Sequence, residues 1–143
     1  MGHALEEIHR VLTPQGIVVD IHPNRPADTR NRLVARPQVY GMTGGRMILV
    51  GALQDRTSHY RAADRTVQQA LRQGLFILLS SEAFPHRYYF RTLAVLDQYL
   101  ATQWTAASIG ASLRRRLQAF LGAHPQAQIM VETSVRMNVM SQP

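Results

Sequence analysis

Apolar residues at Leu5, Ile8, Val11 and Leu12 recur at the spacing of one helix face, with Glu6, Glu7, His9 and Arg10 on the opposite side. Thr13-Pro14-Gln15-Gly16 stops that helix. Pro14 cannot continue it, Thr13 before it is pushed toward extended backbone, and Gly16 is free to take a positive φ. Ile17-Val18-Val19 follows as an uninterrupted β-branched run, the composition of a strand covered on both faces, as in parallel sheets. Residues 5–22 therefore read as helix, tight turn and buried parallel strand.

Beyond His22 the pattern lapses into a loop, Pro23 to Asp28, whose prolines and polar residues exclude regular structure, and residues 30–38 are arginine-rich without a clear period. Tyr40 to Gly45 reads as a turn, and Arg46 to Leu53 as an apolar strand that pairs as a hairpin or lies along a lid. Thr57 or Ser58 can cap the next helix, which carries Ala63, Val67, Ala70 and Leu71 inward and ends at Gly74. Leu75 to Phe84 is a strand, broken at Pro85 before the aromatic stretch Tyr88-Tyr89-Phe90. Thr92 can cap a helix with Leu93, Leu96, Leu100 and Trp104 on one face. A further helix from about 106 to 121 gathers Ile109, Leu113, Leu117 and Phe120, with Gly122 closing it. From Ile129 to Met140 apolar residues at odd positions alternate with Met130, Glu132, Ser134, Arg136, Asn138 and Met140, a strand with one wetter face.

Residues 5–22 resemble an element of the class I S-adenosylmethionine-dependent methyltransferases, in which a helix reading E-x-x-R-V-L-x-P-G-G leads into the fifth strand of a doubly wound sheet. Glu7, Arg10, Val11, Leu12, Pro14 and Gly16 match that pattern, while Gln15 stands where the family has the first glycine. In the family the fifth strand is followed by a helix and a long antiparallel pair at the sheet edge. With falling specificity the resemblance extends over nearly the whole chain. It implies a single α/β domain over residues 1–143. The expected fold is a partial doubly wound, Rossmann-like sheet of about three to four strands, with an antiparallel C-terminal pair and four helices. The element belongs to the second half of such domains, so the glycine-rich turn and acidic ribose ligand of the first half are not in these residues. Gly41 to Gly45 follows no buried apolar strand and opens no helix, and so reads as a turn and not a nucleotide loop.

Composition narrows the chemistry. The 143 residues are 45% hydrophobic and 17% charged, enough for a packed core, and no apolar run reaches the ~20 residues that span a bilayer. An acidic, signal-free start makes the cytoplasm the expected location. There is no cysteine, which excludes disulfides and thiolate chemistry, and all 16 basic residues are arginine, which excludes lysine Schiff bases. The net charge of +7 favours anionic partners, nucleic acid among them, yet the arginines are scattered except at Arg114-Arg115-Arg116, which reads as a solvated face.

Asp20 and His22 share a face at the carboxyl end of the first strand, where open α/β sheets collect ligands, and with Asn24 they are the substrate-facing candidates that the resemblance implies. The same residues also fit a polar strand end. Tyr88 and Tyr89, with Phe90 and Trp104, line an apolar pocket or complete a core. A metal site on Asp20 and His22 would need His59, Glu82 or His86 as a third ligand, and no spacing here is a metal motif. The expected function is thus a methyltransferase-like protein without its cofactor site. It would be silent alone and act as a homodimer or beside a chain carrying the missing half. S-adenosylmethionine is a cofactor only if that half is supplied. A non-catalytic interaction module, or a small basic ligand- or nucleic-acid-binding domain, are the alternatives.

Overall fold

The structure is a computed structural model that describes residues 2–24, 36–56 and 60–143, with only the backbone described at Gly2, Tyr60 and Arg61. The loop expected at Pro23–Asp28 therefore lies largely outside the described residues, as does the cap expected at Thr57 or Ser58. Among the described residues the fold is mixed α/β with four helices and a mostly antiparallel sheet. The chain forms two compact units. The first is built from Met1–Arg25, Ser58–Phe84 and Ser134–Pro143, the second from Pro26–Thr57 and Pro85–Thr133.

In the first unit α1 (Gly2–Val11) leads into β1 (Ile17–Pro23). The turn between them closes through the Gly16 amide, which donates to the Thr13 carbonyl at 2.8 Å. The positive φ falls on Gln15, at 72°, and not on Gly16. Gly16 is needed for another reason: a Cβ there would stand 2.6 Å from Leu12 Cδ1 and 2.8 Å from the Thr13 carbonyl oxygen. After α2 (Tyr60–Arg72), Gly74 at φ 71° completes a Schellman cap, with the Gly74 amide bonded to the Leu71 carbonyl and the Leu75 amide to the Ala70 carbonyl. The core of the unit gathers Leu5, Val18, Val67, Ala70, Phe76 and Met140, so the inward stripe read for α2 holds.

Two 14-residue strands, β5 (Ile77–Phe90) and β7 (Gln128–Ser141), each run through both units. In the first unit β1 lies antiparallel on β7, with Val18 opposite Met140, Asp20 opposite Asn138 and His22 opposite Arg136. β5 also pairs with β7. The contacts Ser81–Asn138 and Arg87–Glu132 descend on one strand as they ascend on the other, so this pair is antiparallel too. Hence β1 is not the doubly covered parallel strand its composition suggested. Among the described residues its one neighbour is antiparallel, and Ile17, Val19 and Ile21 are 50–60% exposed on the outer face. Nor does Pro85 break β5. β5 has β7 as its only strand partner among the described residues, and an edge strand tolerates a residue with no amide to donate.

The second unit contains β2 (Gln38–Thr43) and β3 (Arg46–Ala52), a hairpin joined by Gly44-Gly45 with φ of 53° and 73°, as a type I′ turn demands. The turn is thus two residues long, and Tyr40–Thr43, expected inside it, is strand. Gly41 is fixed by packing, since a Cβ would fall 2.1 Å from Phe120 Cε1. β2 adds to the first half of β7, and β4 (Gln54–Asp55) pairs with β6 (Ala107–Ser108). α3 (Leu93–Thr102) begins as read, its Val95 amide donating to Thr92 Oγ1 at 3.2 Å. α4 (Ala111–Ala123) starts five residues later than its periodicity implied, because Ala107-Ser108 is committed to β6, and Gly122 lies inside it. Leu53, Leu96, Leu117 and Ile129 are fully buried at the centre of this unit's core.

The alternation of β7 produces strand, but not a single wetter face. In the second unit the odd positions Ile129 and Val131 point into the core, and Met130 is buried as well. In the first unit the even positions Asn138 and Met140 are buried instead, and the odd ones are half-exposed.

Candidate functional site

The carboxyl end of β1 carries a hydrogen-bonded polar chain inside the first unit. β-pairing puts Asp20 beside Asn138 and His22 beside Arg136 on the face that α2 covers. From that helix Asp64 reaches the same place. His22 is 5% exposed and sits between two carboxylates, its Nδ1 2.7 Å from Asp20 Oδ2 and its Nε2 3.0 Å from Asp64 Oδ1. A neutral imidazole has one N–H, so which carboxylate it donates to depends on its tautomer. On the Asp20 side, Asn138 Nδ2 donates to Asp20 Oδ2 at 2.9 Å and Ser81 Oγ donates to Asn138 Oδ1 at 2.8 Å. On the Asp64 side, Arg136 Nε lies 3.9 Å from Asp64 Oδ1, shielded from solvent and with no hydrogen-bond partner among the described residues. Arg136 Nη2 donates to Asn24 Oδ1, and Asn24 Nδ2 to Ser134 Oγ, each at 3.3 Å.

The structure thus brings together all three candidates from β1, Asp20, His22 and Asn24. Sequence reasoning missed Asp64, Ser81, Arg136 and Asn138. The available signal was the run of polar residues at even positions, Asp20 and His22 after Val18 and Arg136 and Asn138 before Met140. His22 is closed off from solvent, while Asp64 and Arg136 are each about a third exposed, so the accessible end of the chain is the Asp64–Arg136 pair. Chemically, the arrangement fixes an imidazole between two carboxylates and offers a carboxylate and a guanidinium at its rim. No group of three or more His, Cys, Asp or Glu side chains among the described residues is arranged to hold a metal ion. At this cluster the reason is visible: both ring nitrogens of His22 already face carboxylates.

Tyr88 and Tyr89 belong to the second unit. Tyr88 packs against its core, its ring centroid 4.6 Å from His86, 5.5 Å from Tyr99 and 5.9 Å from Trp104. Burial, with Tyr99 adding to it, pushes the Tyr88 phenol above the ordinary tyrosine value. Tyr89, next along the strand, is exposed. The two are therefore not one wall: alternation sends them to opposite faces of β5. Of the arginine run, Arg114 forms a bidentate pair with Asp97 at 2.6 and 2.8 Å, and these hydrogen bonds raise its pKa further. Arg115 and Arg116 are exposed. Among the described residues no helix is long and apolar enough to cross a membrane.

Comparison with family models, with curated proteins and with solved structures finds no match to this chain.

Proposed function

We propose that the chain is a methyltransferase-like protein corresponding to the second half of a class I domain, with no S-adenosylmethionine site of its own, and that it works within a larger assembly. The observation that carries this reading is the order of strands in the first unit. β7 lies between β1 and β5 and runs antiparallel to both, and the helix α2 separates β1 from β5 in the chain. That is the long antiparallel pair beside the strand of the resembling motif. It accompanies a helix–turn–strand unit whose turn keeps a left-handed residue at Gln15, where the family has glycine. In this reading the Asp20–His22–Asp64 chain, with Asn24 and Arg136, lies at the substrate end of β1. The free edge of β1 is where a cofactor-binding half would add its strand.

Titration calorimetry with S-adenosylmethionine is the test. The chain alone is expected to give no saturable heat at micromolar ligand, and micromolar binding would overturn the absence of a cofactor site. The coding sequence that adjoins this one provides the companion test. A glycine-rich strand–turn–helix encoded there is the expected finding, and its absence would remove the half-domain reading.

A further inference from the structure

We infer that the outer face of the first unit's sheet is an interface, and that its occupant is a second copy of this chain. Ile17, Val19 and Ile21 of β1 are 60, 50 and 59% exposed, and Leu78 and Phe84 of β5 are 40 and 38% exposed. The β1–β7 register puts the first three on the same side as Met137, away from Asp20 and Asn138. The Ser81–Asn138 bond places the odd positions of β5 on the Asp20 side, so Leu78 and Phe84 fall on the outer face too. β1 and the end of β7 thus present apolar side chains side by side, and β5 adds Leu78 and Phe84 with Ser80 and Glu82 between them.

Size, charge and shape select the occupant. At ~150–200 Å² for a fully exposed residue of this kind, the five side chains offer about 400–500 Å², the upper range of what a monomer leaves bare. Two such faces pressed together remove roughly 1,000 Å² once the half-buried β7 residues are included, the level at which specific interfaces begin. The chain carries +7, so two copies repel unless they meet through a neutral surface. Among the described residues this face bears no arginine, and Glu82 of β5 is its one charge. Twisted antiparallel sheets pack face to face about 10 Å apart, and such a face is complementary to itself under a two-fold axis. Pairing through the β1 edge would satisfy backbone groups but leave these side chains in water. Face packing covers them and keeps that edge open. This inference rests on the sheet face and holds whether or not the methyltransferase reading does.

The test is light scattering on the eluting protein between about 1 and 100 µM. The expected mass is that of two chains, and Val19→Glu, at the centre of the face, is expected to weaken association at least 100-fold while leaving the circular dichroism unchanged. Because the sequence has no cysteine, Val19→Cys takes a single spin label. Dipolar spectroscopy should then show a label pair within ~25 Å, as sheets stacked ~10 Å apart require. This second variant decides the matter if Val19→Glu fails to fold. A monomer throughout the range, a dimer that survives Val19→Glu in the folded state, open-ended polymers, or labels farther apart than 40 Å would each overturn the proposal. None of these outcomes bears on cofactor binding, so the two readings fail separately.

Discussion

Replacing His22 by alanine tests whether the polar chain at the end of β1 holds α2 to the sheet. The wild-type imidazole is 5% exposed and makes two short contacts, to Asp20, 16% exposed, and to Asp64, 35% exposed. A hydrogen bond to a charged group contributes about 1.5–3 kcal/mol. The Asp64 contact is discounted toward the lower end, because water replaces the lost donor at a partly exposed carboxylate. Asp20, itself largely shielded from solvent, retains the Asn138 amide but loses its nearest polar partner. Breaking such a buried pair from one side costs up to about 3–5 kcal/mol. The expected loss is therefore about 3–4 kcal/mol, a large share of a domain's usual 5–15 kcal/mol. Urea unfolding followed by far-UV circular dichroism measures it, with Trp104 fluorescence recorded in parallel as the reporter of the second unit. Asp20→Asn combined with His22→Ala should cost less than the sum of the two single changes by about 1–2 kcal/mol, since both delete the same contact. A loss below 1 kcal/mol for His22→Ala, or strict additivity, would refute the claim that this chain is a coupled, buried network.

Gln15→Gly should raise stability by about 0.5–1 kcal/mol, because it relieves a left-handed non-glycine residue at φ 72° at the modest entropic cost of an extra glycine; thermal melting checks this. Gly41→Ala should lower stability by about 1–3 kcal/mol by driving a methyl group into Phe120, and Phe120→Leu in the same chain should recover part of the loss. The Tyr88 phenol, raised by burial above 10.0, favours the neutral form in the folded protein. Its contribution is therefore complete below pH 10 and lost as pH rises from there through the higher folded value. Tyr88→Phe should flatten that alkaline decline in urea melts across pH 9–12, and an unchanged slope would assign the decline to other groups.

Local elements were legible where one face decides them. The helix α1, the inward stripe of α2, the Gly74 cap and the Thr92 cap are each fixed by neighbours within a few residues, although Val11, read onto the inner face of α1, is 63% exposed. Errors came where distant residues decide. Tyr40–Thr43 looks like part of a glycine-rich turn until β7 and Phe120 are there to hold it as strand. Ala107-Ser108 looks helical until β4 claims it. The alternation along β7 could not say which parity is buried, because the strand serves two cores and each selects its own. At the site, Asp20, His22 and Asn24 lie close in sequence and could be found together. Asp64 and Asn138 lie 42 and 118 positions from their partners in the network, and only the fold brings them there.

The pairing of β1 with the end of β7 also sets the order in which this molecule can be made. Every residue pair in that ladder joins residues 17–23 to residues 135–141, so the first unit cannot close until synthesis has delivered Asn138 and Met140. The second unit is encoded between those segments and needs β7 only as far as Val131, so its core is complete earlier on the ribosome. A nascent chain therefore carries Val18, Val67 and Phe76 without Met140 until residue 140 has been made, a long-range closure of the kind that slows folding.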